Sequence, residues 1–169
     1  MDVQFELVDK QRLMNQDRLA VTPEQAGFAC PDLKAFVHQW KDDPHFDCYY
    51  IRSAGQAVGF FAIDRGLDRH PYVKSAQSSH DCVLRCFLID HRHQGKGIAT
   101  ATLCKLNDLL KTKYPHLESC YLTVNFGNPA ALKVYKNTGF ELFHDPYLGG
   151  ASGPQHVMRR PIAPAQPLP

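Results

Sequence analysis

Apolar positions along this chain fall into two rhythms, and the change between them marks the elements. Cys82 to Ile89 is a short, almost continuously apolar run ended by Asp90, the pattern of a buried strand. Beyond a polar stretch, Ala99, Leu103, Leu106 and Leu110 recur at i, i+4, i+7 and i+11, the stripe of a core-facing helix that stops near Tyr114-Pro115. Residues 3–8 alternate and predict a first strand. Residues 12–41 read as helical in pieces, with Pro23 and Pro31 each opening a short helix. In the second of these Leu33, Phe36, Val37 and Trp40 share one face, and Asp42-Asp43-Pro44 stops it. Residues 48–51 and 57–63 predict two strands joined by a tight turn at 53–56, and 66–80 a polar loop. Residues 120–124 predict a strand ending in Asn125, followed by a helix capped by Asn128-Pro129 and closed at Thr138-Gly139. Short strands at 140–144 and 155–159 flank a loop at 149–154. This order predicts an α+β domain over 1–160 built on one central mixed sheet, with a Pro-rich, disordered tail over 161–169.

Bulk composition narrows the function classes. A chain of 169 residues makes one domain with a sizeable core. A formal net charge of +2 leaves no nucleic-acid footprint, and no run approaches the length of a membrane span. The start, Met1-Asp2-Val3-Gln4-Phe5-Glu6, is acidic and amphipathic rather than a signal peptide, so a cytoplasmic address is expected. Six cysteines stand singly in apolar segments without a Cys-x-x-Cys, which favours small buried hydrophobes over a zinc or redox site. His91-x-His93 lacks a third ligand at a matching spacing, so no metal is expected.

The chemistry lies between the apolar strand and the long helix, in Arg92-His93-Gln94-Gly95-Lys96-Gly97-Ile98-Ala99. A glycine loop opening a helix aims unpaired N–H groups outward at the positive end of the dipole, a phosphate site by construction. Two phosphate loops fail on spacing. A nucleotide P-loop needs Lys after its second glycine, whereas Lys96 lies between the two. A dinucleotide fingerprint needs a third small residue where Thr100 stands.

Arg92-x-x-Gly95-x-Gly97 instead resembles the pyrophosphate loop of the GNAT acetyltransferases, which bind acetyl-CoA. Asn125-x-x-Asn128-x-x-Ala131-x-x-x-Tyr135-x-x-x-Gly139-Phe140 resembles the family's second signature, in the family's order and separation. The resemblance covers roughly residues 45–160 and implies a GNAT-like domain: a mostly antiparallel sheet whose fourth and fifth strands splay apart, flanked by helices. Val21-Thr22-Pro23-Glu24-Gln25, Phe87-Leu88-Ile89-Asp90 and Gly153-Pro154-Gln155-His156-Val157-Met158 further resemble small-amine and polyamine acetyltransferases. One departure stands out, since those relatives often carry Arg directly before the strand Phe, where this chain has Cys86 preceded by Arg85.

The resemblance implies roles residue by residue. Backbone N–H groups of Gln94, Gly95, Lys96, Gly97, Ile98 and Ala99 would cradle the pyrophosphate, with Arg92 and Lys96 adding charge. Phe87, Leu88 and Ile89 would hold the pantetheine arm, the Leu88 N–H polarising the thioester carbonyl. Asn125 and Asn128 stand at cofactor-contact positions, although Asn128 equally caps its helix. Tyr135 occupies the place of a Tyr that protonates the departing thiolate; a phenol ionising near 10 keeps its proton at neutral pH. A primary amine must also lose a proton, and no base is assigned; His80 and Asp81 are the nearest candidates. Glu24, Asp32, Asp42, Asp43 and Asp47 outnumber Lys34 and Lys41 between 24 and 47, which suits a cationic acceptor. Glu24, Asp32, Trp40 and Tyr49 are the acceptor candidates. The reading is an acetyl-CoA-dependent N-acetyltransferase for a small primary amine such as a polyamine, acting in a ternary complex. A protein acceptor and a non-catalytic CoA sensor are the alternatives, and the family makes a homodimer the default assembly.

Overall fold

Seven strands and three helices realise this pattern in a computed structural model, which describes residues 1–11, 19–30, 32–73 and 80–162. Strand order is β1-β2-β3-β4-β5-β7-β6, one mixed sheet as expected. The chain forms two compact units, Met1–Asp64 with Leu84–Thr102, and Arg65–Val83 with Leu103–Pro169.

In the first unit, β1 (Gln4–Leu7) pairs antiparallel with β2 (Phe46–Ser53), which pairs antiparallel with β3 (Gln56–Asp64). The β2–β3 turn places Ala54 at φ 48° and Gly55 at φ 78°. Two consecutive left-handed residues match the right-handed twist of the flanking strands, which is why the turn at 53–56 is tight. Helix α1 (Leu33–Gln39) begins at Asp32, whose carboxylate accepts from the Ala35 N–H at 2.9 Å. Its predicted stripe faces the core: Val37 is buried, and Leu33, Phe36 and Trp40 pack on a cluster of Val8, Phe46, Cys48, Phe60, Ala62 and Leu88. Burial of each large apolar side chain contributes about 1.5–3 kcal/mol. Lys10 Nζ donates to the Trp40 and Asp43 carbonyls, a cation holding the end of α1.

Two expectations change here. The segment after Pro23 is a series of turns, Gln25 N–H to Thr22 O (3.0 Å) and Phe28 N–H to Gln25 O (2.9 Å), rather than a helix. So short a run of turns is too little to repay helix nucleation. Helix readings over 12–18 and at Pro31 lie outside the described residues, as do 74–79 of the polar loop. Of the six cysteines, Cys48, Cys82 and Cys120 are buried, Cys30 and Cys86 are half-buried, and Cys104 is exposed.

The second unit takes the beginning of β4 (Asp81–Ile89), which pairs parallel with β5 (Ser119–Asn125) through Asp81↔Ser119, Cys82↔Cys120 and Val83↔Tyr121. That ladder ends after three rungs. β7 (Gln155–Pro161) pairs antiparallel with all of β5, and β6 (Glu141–Leu142) closes the edge. Helix α2 (Ile98–Lys113) buries Leu103, Leu106 and Leu110 as its spacing requires. Helix α3 (Pro129–Asn137) has Pro at its first position and Gly139 at φ 93° just beyond its end. β6 is shorter than the run at 140–144, and β7 is longer than 155–159. Beyond β7, Ile162 is buried and its N–H donates to Glu118 O at 2.7 Å, so ordered chain passes the expected start of the tail. Residues 163–169 lie outside the described residues.

Candidate active site

The last rung of β4 is the Asp90 N–H bond to Val58 O at 2.9 Å, after which the chain turns into the glycine loop. Asp90 organises that turn. Its fully buried carboxylate accepts from the Ala20 N–H (2.9 Å), the Arg92 N–H (3.0 Å) and the Arg92 guanidinium (Nε 2.8 Å, Nη2 3.1 Å). Burial pushes this carboxyl up, but the hydrogen bonds from Arg92 and Ala20 outweigh it and hold it at about 2. Arg92 therefore stands with its charge already matched by Asp90. Lys96 Nζ donates to Arg92 O at 3.1 Å, and the Gln94 amide donates to Ile89 O at 2.8 Å.

Gly95 at φ 71° and Gly97 at φ 79° are both left-handed, a conformation L side chains rarely adopt. A Cβ built on either meets nothing within 4 Å. The glycines are thus required by backbone angle, and the space they leave is open. Ile98, buried, begins α2, with Ala99 half-buried behind it. The first N–H groups of a helix lack intrahelical acceptors, so an exposed, positively polarised cradle results.

Upstream, Leu88 and Ile89 are buried and Phe87 is half-buried. Cys86 interrupts the strand at φ 50°, a left-handed non-glycine residue costing about 1–2 kcal/mol. It breaks the alternation of faces just before Phe87. On the neighbouring strand, an ideal Cβ at Gly59 would lie 2.6 Å from Leu88 O and 2.9 Å from the Ile51 and Ile89 Cδ1 atoms. Only glycine lets β3 approach the Leu88 backbone this closely.

The acceptor candidates of the first unit separate by exposure. Glu24 is exposed, and hydrogen bonds from its own backbone and Thr22 hold its carboxyl below the usual range. Asp32 is exposed but occupied as the α1 cap. Trp40 stacks on Phe46 at 5.1 Å, and both lie under the Arg85 guanidinium, which also faces Phe36. Arg85 pairs with buried Asp64 at 3.2 Å, so this aromatic group holds the protein's own cation. Tyr49 is 2% exposed and stacked on Phe61, a core position.

In the second unit, Asn128 caps α3, accepting from the Ala131 N–H at 3.2 Å. Asn125 is engaged at both ends: Oδ1 accepts from the Gly127 N–H and Nδ2 donates to Ser152 O, each at 2.7 Å. Tyr135 is buried on α3 with its ring edge-on to Phe140 at 5.8 Å. Burial, then the neighbouring Cys120, pushes its phenol well above the ordinary tyrosine value. Arg160, buried and 4.5 Å over Phe140, donates through Nη1 to Leu103 O and Thr138 O. His80 and Asp81 sit at the start of β4, with His80 3.7 Å from Glu118. Among the described residues no group of three or more His, Cys, Asp or Glu could hold a metal. No helix among them is long and apolar enough to cross a membrane.

Sequence reasoning missed Asp64, Arg160 and the bonding of Asp90 and Gln94 to the segment 19–30. Each is a long-range pairing with no local signature.

The fold has close counterparts. AAC(6')-Ib in complex with ribostamycin and coenzyme A superposes with a TM-score of 0.76, at 16% identity over 95% of this chain and 94% of that one. Spermidine N-acetyltransferase from Vibrio cholerae, in complex with CoA and spermine, gives 0.65 at 17% identity over 94% and 95%. The GNAT domain of S. lividans PAT gives 0.69 at 16% identity over 94% and 90%. No curated protein sequence matches the chain. The sequence model of the Acetyltransferase (GNAT) family, however, matches residues 13–140. That span takes in the left-handed glycine loop at the head of α2 and the capped helix carrying Tyr135, and the chain belongs to the GNAT acetyltransferase family.

Proposed function

We propose that this protein is an N-acetyltransferase that moves the acetyl group of acetyl-CoA to a primary amine of a small, multiply cationic molecule. The observation that carries this reading is the open cradle at Gly95 and Gly97, where two left-handed glycines precede the N-terminus of α2 and no atom stands within 4 Å of either Cβ position. A pyrophosphate needs that combination of bare backbone and positive dipole. In this reading the N–H groups of 94–99 bind the pyrophosphate, with Lys96 beside them. Phe87, Leu88 and Ile89 hold the pantetheine arm, and the Leu88 N–H donates to the thioester oxygen as negative charge grows there. Asn125 and Asn128, an element of the turn and the cap of α3, are the further cofactor contacts of this reading.

The acceptor nitrogen attacks the acetyl carbon directly. The C–N bond forms, the C–S bond breaks, the nitrogen gives up a proton to solvent water, and Tyr135 supplies one to the leaving sulfur and is reprotonated from solvent. A buried phenol that keeps its proton suits that role. Glu24 and the acidic residues around it favour a cationic acceptor. Aminoglycosides such as ribostamycin and polyamines such as spermine, held by structurally similar proteins, share one feature: several primary amines on a flexible, positively charged body.

The test is turnover of acetyl-CoA against a panel of polyamines, diamines, aminoglycosides, amino acids and Lys peptides, reading released thiol and the mass of the product. Turnover concentrated on multiply charged small amines is expected. Acetylation of Lys peptides alone would overturn the small-molecule reading, and acetyl-CoA binding with no acceptor would make the chain a sensor.

A further inference from the structure

The side chain of Gln94 is fully committed. Its amide donates both to Ile89 O (2.8 Å) and to the Gln25 Oε1 (2.9 Å), and its own Oε1 accepts from Gln25 Nε2 at 3.0 Å. The Gln25 Oε1 also accepts from the Thr22 N–H at 3.3 Å. One reciprocal amide pair therefore links three pieces of chain: the end of the strand β4, the first residue of the glycine cradle, and the turns at 22–25. Five residues earlier the same segment is held again. The Ala20 N–H donates to the Asp90 carboxylate at 2.9 Å, and Ala20 O accepts from the His91 N–H at 2.8 Å. These bonds of Ala20 and Gln25 to the loop fall on 90–94, immediately before the two glycines.

This segment carries Glu24 and has no regular helix or strand of its own, so beyond the packing of Leu19 and Val21 on the apolar cluster its order depends on what it is bonded to. The cradle is the converse case. Its two left-handed glycines have no side chain to pack the loop in place, and a ligand accepting from the N–H groups of 94–99 fixes the backbone at Gln94. Fixing that backbone fixes the amide, and with it Gln25.

We propose that Gln25 is a positioning residue that couples the two substrates, so that occupancy of the glycine cradle by CoA orders the segment 19–30. By linkage, an acceptor that grips 19–30 tightens CoA to the same degree. The proposal rests on the cradle being the CoA site, and the experiment separates the two. Hydrogen–deuterium exchange of the full chain is followed by mass spectrometry with and without saturating CoA, for the wild type, Gln25→Leu and Gln25→Glu. In the wild type CoA slows exchange both at 94–99 and at 19–30. In Gln25→Leu the slowing at 94–99 persists, the slowing at 19–30 is lost, and the Kd for CoA rises about fivefold or more. Gln25→Glu keeps a carboxylate oxygen for the Gln94 amide and is intermediate; it also carries the test if Gln25→Leu fails to fold. Protection of 94–99 alone in the wild type, or protection of 19–30 surviving in Gln25→Leu, would overturn the coupling while leaving the CoA site intact. No protection at 94–99 would overturn the CoA site and the coupling together.

Discussion

The phenol of Tyr135 lies inside the second unit, where burial and then Cys120 keep it protonated well above pH 10.0, the ordinary tyrosine value. In the proposed role of general acid it is therefore loaded across the whole range in which the protein is handled. Tyr135→Phe removes only the hydroxyl and leaves the ring on Phe140. The expected result is a fall in kcat of about 10²-fold or more, with KM for acetyl-CoA unchanged. In the wild type kcat should show no alkaline loss centred near pH 10 from this residue. An unchanged kcat in the variant would remove Tyr135 from the chemistry. Its position was legible from a short spacing ending at Gly139-Phe140. Its burial was not, because a helical Tyr at that spacing can face either way. Trp40 shows the same gap in another form: its aromatic character is visible in the sequence, but the structure places the protein's own Arg85 over the ring.

At the scale of elements, the strand that ends at Leu88 and Ile89 is shaped by its neighbour. Gly59 brings β3 so close that a methyl group would stand 2.6 Å from Leu88 O. Because that contact is backbone, the strand itself must give. Gly59→Ala should lower stability by about 1–3 kcal/mol. If the Leu88 N–H has its proposed role at the thioester, it should also be displaced from it, and a misplacement of about 1 Å can cost roughly 10²-fold in rate. Thermal unfolding together with kcat/KM checks this; a variant that loses stability but keeps full kcat/KM would show that Leu88 donates nothing. The elements themselves were largely legible. The i, i+4, i+7 stripe of α2, the Asn-Pro start of α3 and the turn at 53–56 follow from local backbone and packing rules. The Pro23 segment departs from its reading because a proline-led turn and a first helical turn share one sequence signature. Only further packing extends one into a helix.

Across the whole molecule, Asp90 makes stability depend on acid. Its folded value of about 2 lies below the ordinary 3.8, so its contribution is complete above about pH 4 and is lost as pH falls through about 2. The loss is at most about 2 kcal/mol, less the solvent screening at exposed Arg92. Urea unfolding between pH 5 and 2 should show a steeper decline for the wild type than for Asp90→Asn; parallel curves would assign the acid sensitivity elsewhere. What the sequence determined by itself is what short-range physics controls: helix periodicity, caps, the glycine loop that opens α2, and two signatures whose spacing fits strand–loop–helix units. Only the tertiary structure decided which distant groups meet. Gln25 with Gln94, Ala20 with Asp90 and Arg85 with Asp64 are 69, 70 and 21 residues apart. Amides, carboxylates and guanidinium groups are generic donors and acceptors, so nothing in their own sequence neighbourhood names the partner. The partner is selected when the apolar core sets the register of the strands that carry them.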